Sequence, residues 1–206
     1  MDFWETFKII VIVIGVGFGI WEKIVEFLKS LKSEVADYVT FGRYPQAAKG
    51  EVRPVEWRVL ARKNNKALVI SRYGLDAMRF DSESNDWSES EIRKWLNGEF
   101  YNSTFSGEEK ARIKSFNQDY VFLLSRKEAE KYFADDDARR CKPTAYAKAK
   151  GADVYEGCCY WWLRSPLPML SSDVCFVDID GFVHNYSSVH NDNGFMRPAL
   201  WINLES

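Results

Sequence analysis

Hydrophobic and polar positions divide the chain into two unlike parts. Ile9 to Trp21 is an unbroken apolar run, and with Phe3, Trp4, Phe7 and the segment to Leu28 one helix would reach about 30 Å. Lys8 sits at one end, Trp4 and Trp21 fall at interfacial depth, and Gly15, Gly17 and Gly19 suit close helix packing. Past Trp21, Ile24, Val25, Phe27, Leu28 and Leu31 keep helical spacing while Glu22, Lys23, Glu26, Lys29 and Lys32 fill the other face. Residues 1–33 are therefore expected to form a hydrophobic helix, and the expected localisation is a membrane crossed by a single N-terminal span, in contact over residues 7–28. The same helix could instead drive homo-oligomerisation. Lys23, Lys29, Lys32 and Arg43 favour a cytoplasmic globular part, whereas a display role favours the opposite side.

From residue 34 to 206 the pattern is that of a mixed domain. Val35 to Phe41 predicts a first strand that Phe41-Gly42-Arg43-Tyr44-Pro45-Gln46 turns out of. Val55 to Leu60 alternates at period two, Lys63-Asn64-Asn65-Lys66 is turn chemistry, and Ala67 to Ser71 is a second strand, which together predict a hairpin. Three Ser/Glu capping boxes predict helix starts: Ser88 with Glu91, Ser106 with Glu109, and Ser125 with Glu128. The first helix should bury Ile92, Trp95 and Leu96 and end at Gly98. Tyr120 to Leu124 predicts a short strand and Pro143 to Gly151 another short helix. Strands, then helices, then strands indicate an α+β fold class.

The last third contrasts a dense frame with a soft interior. Trp161-Trp162-Leu163-Arg164-Ser165-Pro166 and Gly194-Phe195-Met196-Arg197-Pro198-Ala199-Leu200-Trp201-Ile202 are rich in Trp, Arg and Pro, while the stretch between them has no Lys, Arg or Glu. Within it, Val174 to Asp178 and Phe182 to Tyr186 flank Ile179-Asp180-Gly181. A three-residue loop with Gly181 left-handed pairs Val177 with Val183 on one face, beside Cys175. It leaves Phe176, Asp178, Phe182 and His184 on the other. A two-residue Asp180-Gly181 turn would split the valines between faces and bury less. Phe195 to Leu204 is expected as one closing strand. The Trp and Arg residues of the flanks are expected to pack behind this surface, with guanidinium heads on loop carbonyls.

The net charge of −2, with signs interspersed, provides no basic stripe and argues against nucleic acid as a partner. Cys141, Cys158, Cys159 and Cys175 form no zinc-ligand spacing and are expected as reduced thiols, a disulfide from Cys141 or Cys175 to the adjacent pair being the alternative. His184 and His190 near Asp173, Asp178, Asp180 and Asp192 have no metal-ligand spacing, so no cofactor is expected.

Five segments then combine: Phe41 to Gln46, Val55 to Leu60, Ser90 to Asn97, Trp162 to Pro166 and Arg197 to Trp201. Together they resemble an uncharacterised bacterial domain family with a C-type-lectin-like fold of the formylglycine-generating-enzyme kind. That fold is also used by variable proteins of diversity-generating retroelements. The resemblance covers about residues 36 to 204. It implies ligand-contacting positions near the C-terminus, diversified at adenines of Asn-type codons. Transferred here, these are Leu167, Met169, Leu170, Ser171, Ser172, Asp173, Phe176, Asp178, Ile179, Phe182, His184, Tyr186, Ser187, Ser188 and His190. Every one of these residue types except Met is reachable from an Asn codon by changing adenines. The implied function is non-enzymatic binding of a protein or glycan. The enzyme branch of the fold, a metal- or copper-dependent oxidase, would instead need two of Cys158, Cys159 and Cys175 converging in a cleft. A structural membrane or phage subunit assembled through the N-terminal helix is the third reading.

Overall fold

At the Lys63-Asn64-Asn65-Lys66 turn, both asparagines take positive φ, 46° and 62°. This is the twist that a two-residue hairpin loop requires, and Asn tolerates it better than most side chains. The turn joins β2 (Val52–Lys63) to β3 (Lys66–Ser71) in antiparallel register, with Lys63 opposite Lys66. This hairpin is the expected one, with β2 longer than the alternating stretch. The computed structural model describes residues 37–150, 154–167 and 170–204, and the expected N-terminal helix lies outside them. Among the described residues no helix is long and apolar enough to cross a membrane.

The first strand is displaced from its expected position. β1 (Tyr38–Pro45) runs through the supposed turn, because one extra residue between Thr40 and Arg43 is absorbed as a bulge with Gly42 at φ 70°. The Gly42 N–H then donates to Glu109 Oε1 at 2.7 Å. The chain turns only afterwards, where the Gly50 N–H reaches the Ala47 carbonyl at 2.8 Å.

Two five-stranded sheets carry the domain. β5 (Ile113–Lys114) and β10 (Ala199–Asn203) extend the first, in the order β1-β2-β3-β10-β5. The second runs β4 (Asp76–Ala77), β9 (Phe195–Met196), β6 (Trp161–Pro166), β7 (Asp173–Val177), β8 (Val183–Ser188). The single closing strand expected over Phe195 to Leu204 is thus two. Arg197-Pro198 is the step between sheets, and the Ser71 N–H fixes it by donating to the Pro198 carbonyl at 2.8 Å. Tyr120 to Leu124 is not a strand but touches β10 through one bridge, Phe122 to Ala199.

The core divides into two apolar clusters. Trp57, Val69, Phe100, Trp162, Val174, Met196 and Leu200 belong to one, and Leu68, Phe122, Phe133, Trp161, Leu163, Val177 and Phe195 to the other. Each such side chain removed from water contributes roughly 1.5–3 kcal/mol before entropy is counted. The observed architecture is α+β, as expected, and it is rich in sheet.

Helices are short and end on caps. α1 (Glu91–Trp95) starts at Ser90, whose Oγ accepts from the Arg93 N–H at 3.3 Å, and not from the expected Ser88 and Glu91 box. Ser88 instead donates to Asp86 in the preceding turn. Nor does Gly98 end the helix. The chain continues through one π-helical turn (Leu96–Phe100) into α2 (Tyr101–Thr104), which keeps Leu96, Phe100 and Phe105 in the core. The boxes at α3 (Gly107–Arg112) and α4 (Arg126–Tyr132) are complete, with Ser and Glu bonded reciprocally. α5 (Asp136–Arg139) is capped by Asp135 and α6 (Ala145–Ala149) by Thr144.

Candidate functional site

The β7–β8 hairpin forms in the predicted register from its turn to Phe176, and the register shifts by one residue between Phe176 and Val174. Val177 faces Val183, Gly181 has φ 85°, and the Gly181 N–H closes the loop on the Asp178 carbonyl at 2.9 Å. Val177 and Cys175 are buried on one face. On the other, the Phe176 and His184 rings stack 5.3 Å apart and Tyr186 meets His184 edge-on at 6.3 Å. His184 Nε2 lies 3.4 Å from Asp178 Oδ2. Phe182 and Tyr186 are exposed, at 54% and 68%. The face is not free along its whole length. Val174 is fully buried and Phe176 is half-buried against Tyr160, their rings perpendicular at 5.8 Å, so the aromatic surface begins inside the core and emerges at His184 and Tyr186.

Both ends of the hairpin are held. At the turn, the Arg139 Nε donates to the Gly181 carbonyl at 2.8 Å, and Arg139 is paired with Asp136. The fit is close enough that a Cβ on Gly181 would stand 1.7 Å from the Asp136 carbonyl oxygen. At the open end, Asn85 Nδ2 reaches the carbonyls of Leu167, Leu170 and Asp173 at 3.1, 2.8 and 2.7 Å, and its backbone N–H reaches that of Ser171. The buried Val189 donates to the Ser172 carbonyl and accepts from the Phe80 and Asp81 N–H groups. Asn85 and Arg139 carry no local motif that would mark them in the sequence.

The expected contact residues fall into two patches. Phe176, Asp178, Ile179, Phe182, His184 and Tyr186 lie along the hairpin face and turn. Leu167, Leu170, Ser171, Ser172, Asp173, Ser187, Ser188 and His190 gather at the open end, five residues or ~17 Å along the strand from the turn. Leu170, Ser171, Ser172, Ser188 and His190 are exposed, while Leu167, Asp173, Ile179 and Ser187 are half-buried. The backbone groups of Leu167, Leu170 and Asp173 bond one another and Asn85 and so build the loop. Met169 lies outside the described residues.

Behind the hairpin stands the Trp and Arg frame. Trp161 and Trp162 are fully buried, and their indole N–H groups donate to the Arg139 and Met78 carbonyls at 3.1 and 2.9 Å. Arg197, only 3% exposed, donates to the Ser71 and Arg139 carbonyls and lies over the Phe133 and Trp161 rings. Arg164 bonds the Leu123 carbonyl and the Glu128 carboxylate, the latter at 2.8 Å. These groups fill structural roles, as the sequence suggested. Cys141, Cys158, Cys159 and Cys175 are free thiols, and all are buried. Burial pushes the Cys175 thiol up. Cys158 lines an open cavity with Asp137, Arg140, Lys142 and Glu156, a lining that includes neither Cys159 nor Cys175, whereas the oxidase reading needs two of these thiols in one cleft. Among the described residues no group of three or more His, Cys, Asp or Glu side chains is placed to hold a metal ion.

The family model described as Domain of unknown function (DUF6273) matches residues 64–204, more than half of the chain. The chain belongs to this family. The part matched to DUF6273 starts in the β2–β3 turn and includes all of the second sheet, the hairpin, its two clamps and the frame. No curated protein and no solved structure matches the chain.

Proposed function

We propose that this DUF6273 protein is a binding protein whose ligand, a protein or a glycan, is engaged by the β7–β8 face and the loops at its open end. The observation that carries this reading is the pairing of a hairpin clamped at both ends with exposed aromatic rings between the clamps. Tyr186, Phe182 and His184 offer large contact area on few rotatable bonds, so little is lost in ordering them on binding. Asp173, Asp178, Asp180 and Asp192 lie in a stretch without Lys or Arg, which favours neutral or cationic ligand groups.

A C-type-lectin-like assignment and diversification by a retroelement are the finer parts of the proposal. They rest on the resemblance of the flanking motifs, and the positions transferred from it include the exposed hairpin residues. The hydrophobic segment over residues 7–28 would anchor the domain to a membrane or gather copies of it. The full-length protein, on glycan and protein arrays, should bind ligands that a Phe182→Ala, His184→Ala, Tyr186→Ala triple variant loses while melting like the parent. Identical array signals from parent and variant would overturn the assignment of this face. At the encoding locus, a near-copy of the segment for Cys158 to Trp201 differing only at adenines, beside a reverse transcriptase, would establish diversification. Its absence would remove that part and leave an invariant binder.

A further inference from the structure

We infer that Cys141 and Cys159 are a modification site: a thiol pair that a hydroperoxide converts to an intramolecular disulfide. The two residues form an antiparallel bridge in which the Cys159 N–H donates to the Cys141 carbonyl at 2.8 Å. Residues opposed in this way carry their side chains on one face as neighbours, and the Cys141 thiol donates to the Lys142 carbonyl at 3.6 Å. The Arg197 guanidinium, held by the Ser71 and Arg139 carbonyls, adds a fixed positive charge beside them.

These surroundings divide the pair into unlike partners. Burial pushes the Cys141 thiol up, but the neighbouring Cys159 thiol, Arg197 and the Gly74 N–H together bring it below the ordinary thiol value. Cys159 is held well above the ordinary thiol value by burial and by Cys141. Cys141 is thus the more acidic thiol of the pair and Cys159 the less acidic, the division of labour that thiol oxidation needs. Both sulfurs are buried, but Lys142 and Cys158, their chain neighbours, line an open cavity of about 330 Å³ with Asp137, Arg140 and Glu156. A hydroperoxide is small enough to enter such a space.

The chemistry balances with that one oxidant. The Cys141 thiolate attacks one peroxide oxygen, the S–O bond forms, the O–O bond breaks, and the departing oxygen takes up a proton as alcohol or water. The Cys159 sulfur then attacks the sulfenic sulfur of Cys141. The S–S bond forms, the S–O bond breaks, and the leaving hydroxide takes the Cys159 proton as water. Two thiols and one hydroperoxide give one disulfide, one alcohol or water and one further water.

The test exposes the folded full-length protein to one equivalent of hydrogen peroxide, removes it, unfolds the protein and alkylates remaining thiols before tryptic mapping. The expected product is a cross-linked pair of peptides, two hydrogens lighter, assigned by fragmentation to Cys141 and Cys159, with Cys175 alkylated. In a Cys159→Ser variant, dimedone should label Cys141, and in Cys141→Ser it should leave Cys159 unlabelled. Full alkylation of Cys141 and Cys159 after peroxide, or a cross-link through Cys158, would overturn the inference. The mapping of the parent protein decides this even where a variant fails to fold.

Discussion

Arg197 is a charged side chain used as a core residue. Its guanidinium satisfies two buried carbonyls, Ser71 and Arg139, and covers the Phe133 and Trp161 rings. Arg197→Ala removes the donor on the Ser71 carbonyl, leaves the Arg139 carbonyl to the Trp161 indole alone, and opens a void against the Phe133 and Trp161 rings. The expected loss is about 3 kcal/mol, read as a lower urea midpoint with unchanged slope. Arg197→Lys keeps the charge but not the fork, and should recover only part of it. The role of Arg197 was legible because it stands in a Trp-, Arg- and Pro-rich flank. Asn85 and Arg139 were not legible. They act on carbonyls 82 and 42 positions away, and nothing local distinguishes Asn85 from the Ser, Glu and Asp around it.

Elements whose geometry is set locally were those the sequence specified. The β7–β8 register follows from two valines that must share a face and a glycine that must turn left-handed. Gly181→Ala adds the strain of φ 85° to a Cβ 1.7 Å from the Asp136 carbonyl. It should cost about 2 kcal/mol or more and speed amide exchange selectively in residues 176–184. The closing strand was misjudged for the opposite reason, since its division at Arg197-Pro198 depends on the end of β3, far away in sequence. The π-helical turn through Gly98 likewise serves long-range packing of Phe100.

Caps also set the acid response. At Glu128, burial raises the carboxyl, but Arg164 and the Ser125 N–H outweigh it and hold it below the usual range. At Asp81, burial is likewise outweighed by the N–H groups of Ser84, Glu83 and Glu91. A carboxylate depressed in the folded state stabilises fully above its unfolded value, near 4, and loses that contribution as pH falls through the folded value. Stability should therefore be flat down to about pH 5 and fall below about 4. In Glu128→Gln that acid slope should be shallower, as followed by thermal melts across pH.

At the scale of the whole molecule, the strand order of the second sheet leaves β8 at its edge with β7 beside it. Clamps at the two ends of this hairpin make the edge rigid without covering Tyr186, Phe182 or Leu170. That division between frame and surface was readable from composition, as the change from Trp, Arg and Pro to small and aromatic residues. The sequence did not show that Val174 and Phe176 belong to the core, because strand alternation alone does not reveal which neighbour covers a face.

Separation of frame from surface is most directly tested by melting a variant that carries Leu170→Asn, Phe182→Ser, Tyr186→Asn and His190→Asn together, beside Arg197→Ala. Exposed positions cost within about 0.5 kcal/mol each, so the fourfold variant should melt within roughly 5 °C of the parent, and Arg197→Ala well below both. A fourfold variant that unfolds as early as Arg197→Ala would show these side chains to be part of the core, and the hairpin could not be a display surface.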